Sequence, residues 1–100
     1  MNYSIQDICN FSKIHFNITE EELLGKNREE RVSVARYIIW YVLHYKCNMS
    51  ASTLSKRFLR SKRNVFRGIS KIKNGLNQNY YRDIYNNFIE SYEKYKIGGM

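Results

Sequence analysis

The side chains most able to do chemistry in this chain are its cations, and they are unevenly placed. Residues 51–77 hold Lys56, Arg57, Arg60, Lys62, Arg63, Arg67, Lys71 and Lys73 and no carboxylate. The flanks are balanced: six Lys/Arg against six Asp/Glu over residues 1–50, and three against three over residues 78–100. The whole formal net charge of +8 therefore lies in one segment. A solvated helix ordinarily mixes signs, which limits self-repulsion and supplies i,i+4 ion pairs. Eight cations without a carboxylate repel one another until a polyanion arrives, and nucleic acid is the commonest polyanion.

Nothing comparable supports catalysis. His15 and His44 fall on separate predicted helices, and no Ser/His/Asp, Cys/His or paired-carboxylate arrangement has suggestive spacing. The run Glu20-Glu21-Glu22 suits the positive end of a helix better than a metal ion. Cys9 and Cys47 stand alone, without a CxxC or a histidine cluster, and read as small buried hydrophobes. The expectation is a chain that is not an enzyme and takes no cofactor, no metal and no small-molecule substrate.

The elements that must position the cations are helices. Proline is absent and glycine is scarce, which favours helices over a sheet with many tight turns. One hundred residues suffice for a single domain with one modest core. The longest apolar stretch, Tyr37 to Leu43, falls far short of the roughly 20 residues that span a bilayer. Residues 1–16 lack the basic start and apolar run of a secretory signal. A cytoplasmic, nucleoid-associated protein with no membrane partner is expected.

Periodicity and capping signals predict an all-α bundle of five to six helices. The first runs from about Ser4 to His15, closed by Asn17. The second starts in a capping box, Thr19 with Glu22, and ends at Gly25 as a left-handed stop. The third, about Glu29 to Lys46, turns apolar on nearly all sides from Tyr37 and is the central core helix, with Trp40, Tyr41 and Tyr45 as packing residues. Ser50 caps a short fourth helix carrying Leu54 and Phe58, and a turn at Leu59-Arg60 leads to Ser61 as the next N-cap. The fifth helix places Val65, Ile69, Ile72 and Leu76 on one stripe and cations on the other; Gly75 weakens its end, and Asn77 or Asn79 closes it. A final amphipathic helix, about residues 81–96, repeats Tyr81, Ile84, Tyr85, Phe88, Tyr92 and Tyr95. That stripe reads as a lid over the core, with a homodimer seam as the alternative.

A short helix, a tight turn and an amphipathic helix with cations at its start form a helix-turn-helix, here about residues 50–76. The second helix of such a unit lies in the major groove of double-stranded DNA, so its first two turns face base edges. Lys62, Arg63, Asn64, Arg67 and Lys71 occupy those positions, with Ser61 as the N-cap. Ser52 and Lys56, on the preceding helix, are placed to hold phosphates.

The scaffold around this unit resembles the C-terminal DNA-binding domain of the bacterial replication initiator DnaA, from about Ser4 to Leu76. Leu23-Leu24-Gly25-Lys26 through Arg28, then Val32-Ser33-Val34-Ala35-Arg36, is similar to that family's LLGK and V-x-x-AR signature. The resemblance implies a Trp-repressor-like fold, a minor-groove contact from Arg28 and a DNA contact from Arg36. It departs where the family turn reads Gly-Gly-Arg-Asp-His-Thr-Thr-Val. Here the run is Leu59-Arg60-Ser61-Lys62-Arg63-Asn64-Val65-Phe66, and Tyr37 replaces the Gln after the signature Arg. Lys and Arg can pair with guanine O6/N7 and Asn with adenine N6/N7, so the readout expected is a different one. No Gly-rich phosphate loop is present, and the chain reads as a stand-alone relative that regulates replication or transcription. The altered recognition residues also motivate an alternative: an interaction module whose basic face binds an acidic protein partner.

Overall fold

The computed structural model describes residues 3–26 and 28–98. Among them there are helices and no strand. In chain order the helices are α1 (Ile5–His15), α2 (Glu20–Leu24), α3 (Glu30–Lys46), α4 (Ala51–Arg57), α5 (Lys62–Gly75) and α6 (Asn79–Gly98).

Local capping sets most of the helix starts. Ser4, Ser50 and Ser61 each accept a hydrogen bond from the backbone N–H three residues on. Thr19 does the same for Glu22, whose carboxylate accepts in return from the Thr19 N–H at 3.0 Å. Each cap satisfies a donor the helix cannot pair, worth about 1 kcal/mol. Asn17 closes the turn after α1 in the left-handed conformation, φ 54°. The Gly25 stop is a correction: its φ of −82° is not left-handed. Glycine is needed there because a Cβ would stand 2.7 Å from the Glu21 carbonyl oxygen.

The central helix is α3. Val32, Ala35, Ile38, Ile39, Val42 and Leu43 are fully buried and Trp40 almost so, each large side chain contributing about 1.5–3 kcal/mol by leaving water. Tyr41 is half-buried, whereas Tyr45 is exposed and packs on the rings of Tyr41 and His44. The most extensive interface joins α3 to α5. It is close because Gly68 lies against Trp40 and Tyr37, while Val65, Ile69 and Ile72 fill the rest of the seam. α4 packs on α5, and its Leu54 and C-cap Phe58 are both buried, Phe58 edge-on to the Trp40 ring.

The last helix is longer than its sequence pattern and folds back on the first. Phe88 and Tyr92, one turn apart, are fully buried. Phe88 stacks on Phe16 and meets Phe11 and His15 with centroids 5.4–5.5 Å apart, while Tyr92 stacks on Tyr3. Ile84, Tyr85 and Ile89 pack against the same core. Most of the aromatic stripe is thus covered within the chain, as a lid, with Tyr95 left exposed near its end. Gly75 ends α5, and a Cβ there would collide with the Tyr81 ring that opens this lid. Both cysteines are free thiols. Among the described residues, no helix is long and apolar enough to cross a membrane.

Candidate nucleic-acid interface

The α4–α5 pair forms the basic surface. Ser61 accepts from the Asn64 N–H at 3.1 Å and starts α5, so Lys62, Arg63 and Asn64 are its first turn. All three are exposed, as are Arg67 and Lys71 further along. Burial of Val65, Ile69 and Ile72 against α3 fixes which face they occupy. Ser52 and Lys56 are exposed on α4. Among the described residues, no cation of the 51–77 segment forms an ion pair; the four salt bridges join Lys13 to Glu20, Arg31 to Glu22 and Glu29, and Lys96 to Asp7. Three of the eight have other contacts: Lys71 lies over the Tyr37 ring at 5.7 Å, Arg57 donates to the Cys9 sulfur, and Arg60 donates to backbone carbonyls of the loop after α2.

Beside α5 runs a groove of about 650 Å³ whose far wall is the loop between α2 and α3. Lys26 and Arg28 come from that loop; Ser61, Asn64 and Arg67 come from α5 and its cap. Ser33, Tyr37 and Trp40 of α3 form the floor. The fold thus brings Arg28, 33 residues distant from Ser61 in the chain, to the same groove.

Arg36 lies at the base of this groove and is buried. Its Nε donates to the Leu23 carbonyl at 3.1 Å, and one terminal nitrogen donates to the Glu22 and Gly25 carbonyls at 2.8 and 2.9 Å. Three carbonyls at the end of α2 are thereby satisfied by a guanidinium, which also suits the negative end of that helix. The other terminal nitrogen takes no part in these bonds. Burial lowers the Arg36 pKa, and the nearby charge of Arg60 lowers it further.

Of the residues singled out from sequence, Arg28, Arg36, Ser61, Asn64 and Arg67 meet in the groove. Lys62, Arg63 and Lys71 are on the exposed side of α5, and Ser52 and Lys56 stand apart on α4. Lys26, Ser33, Tyr37 and Arg60 line the groove too, and sequence reasoning did not choose them. Lys26 was within reach, as a cation two residues before Arg28. No local pattern marks the inward turn of Arg60.

A family model described as the bacterial dnaA protein helix-turn-helix matches residues 5–72. The match runs from the start of α1 into the last turn of α5, and all of α6 lies beyond it.

Proposed function

Because the chain belongs to the bacterial DnaA helix-turn-helix family, we infer that it binds double-stranded DNA with α5 in the major groove and with Lys26 and Arg28 at the adjacent minor groove. A major groove about 12 Å wide admits a helix, and the first turn of α5 presents Lys62, Arg63 and Asn64 toward base edges. The start of α4, with Ser52, and Lys56 in its last turn meet phosphates on the other side of the helix-turn-helix. The observation that carries this reading is the segment of eight cations with no ion pair among the described residues, placed on one helix-turn-helix. Replacement of the family's Asp-His-Thr by Lys62-Arg63-Asn64 shifts base preference rather than abolishing contact, and the chain serves regulation of replication or transcription.

Titration of a duplex pool at two salt concentrations tests the binding. With about five to eight phosphates engaged, the log–log slope of affinity against salt is roughly −5 to −7. Arg63→Ala should lose sequence preference, and Lys56→Ala should weaken all duplexes alike. Salt-indifferent binding, or no duplex binding together with capture of an acidic protein, overturns the reading.

A further inference from the structure

The loop and α5 are joined by a second arginine. Arg60, in the turn between α4 and α5, donates to the Leu24 carbonyl at 3.2 Å and also to the Gly25 carbonyl. Gly25 therefore accepts from Arg36 and Arg60 together. The backbone that delivers Arg60 is unusual. Leu59 has φ 56°, a left-handed conformation that a branched side chain adopts at a cost. The Arg60 N–H is held by the Ser55 carbonyl at 3.0 Å.

These bonds change the sign of one wall of the groove. Without the two guanidinia, the carbonyls at the end of α2 would remain behind this wall as unpaired partial negative charge. With them, the wall carries two cations, Lys26, Arg28 and Arg67 stand nearby, and among the described residues no Asp or Glu lines the groove. Bonds to carbonyls leave both guanidinium charges unneutralised. Arg60 NH1 and NH2 are engaged, but its Nε makes none of these bonds. Ser33, Ser61 and Asn64 add neutral polar groups on the remaining sides.

A protein with one element in the major groove and another in the neighbouring minor groove must straddle the sugar-phosphate strand that divides them. The cation-lined groove is the space between those two elements. We propose that this groove seats a single DNA backbone strand, and that Arg60 is a phosphate contact at its wall as well as the tie that fixes the loop. The proposal rests on the DNA-binding reading and names the part of the duplex that the groove holds.

The test uses the intact chain and duplexes in which one phosphate at a time is replaced by an uncharged methylphosphonate. For the wild type, affinity drops by about tenfold at one or two adjacent positions between the minor-groove and major-groove contacts. In Arg60→Gln those positions lose most of their effect, and the salt slope becomes shallower by about 0.9. Arg60→Lys keeps the charge and therefore the slope. Trp40 fluorescence on urea titration confirms that each variant is folded. If Arg60→Gln weakens binding but leaves the slope and the methylphosphonate profile unchanged, Arg60 is only a structural tie and the proposal fails. A saturable rise in wild-type stability with millimolar inorganic phosphate, lost in Arg60→Gln and without any methylphosphonate effect, assigns the groove to a free anion and also overturns it. Absence of wild-type binding to any duplex would instead sink the DNA-binding reading on which it rests.

Discussion

Gly68→Ala isolates the contact that sets α5 against the core. A Cβ at this position would stand 2.7 Å from Trp40 Cε3 and 2.7 Å from Tyr37 Cδ1, and 2.9 Å from Trp40 Cζ3. Carbon atoms in optimal contact are about 3.5–4.0 Å apart, so α5 or the rings must yield by roughly 1 Å. Two effects oppose each other. Alanine gains about 1 kcal/mol over glycine in a helix interior. Overpacking a closed interface loses about 1–3 kcal/mol. Trp40 is 2% exposed and has nowhere to retreat, so overpacking should win, with a net loss of about 1 kcal/mol. For a domain of this size that lowers the Tm by about 4–8 °C. The assay is urea unfolding followed by fluorescence of Trp40, the single tryptophan, which reports from the perturbed contact itself. Gly68→Leu should lose more than Gly68→Ala. An alanine variant as stable as the wild type, or more so, would show that helix propensity governs the site and that the α3–α5 approach is looser than described.

Two further outcomes follow from the same structure. Leu59→Gly should stabilise the fold by about 0.5 kcal/mol. Release of the left-handed strain returns about 1–2 kcal/mol, and greater freedom of the unfolded chain takes back about 0.4–1. Leu59 is 69% exposed, so little burial is lost, and a fall in Tm would refute the account. His15 makes stability depend on pH. Burial among Phe11, Phe16 and Phe88 lowers its pKa below the ordinary imidazole value near 6.5. The unfolded chain therefore takes up the proton first, so this contribution is complete above about pH 6.5 and declines as pH falls through and below that value. His15→Phe should flatten the Tm profile between about pH 7 and 5. Persistence of the full slope in that variant would place its origin elsewhere.

The sequence by itself determined what depends on neighbours a few residues apart. Ser4, Thr19, Ser50 and Ser61 start helices because each side chain bonds to a backbone N–H three residues ahead. The stripe of Val65, Ile69 and Ile72 fixes the buried face of α5, and hence the exposed face of Lys62, Arg63 and Arg67. Confinement of charge to residues 51–77 was legible for the same reason, since it needs no contacts to be seen. Tertiary structure decided the rest. The end of α2 looked like a glycine stop, yet Gly25 is not left-handed, and its carbonyl is held by arginines 11 and 35 positions away. Leu59 takes the left-handed conformation although its residue type disfavours it. Arg36 is drawn inward onto carbonyls, and Arg60 turns toward the same loop. Such bonds join residues far apart in the chain, and no periodicity records them. They exist only once α3 and α5 close on each other and set a basic loop beside a basic helix, with a groove between.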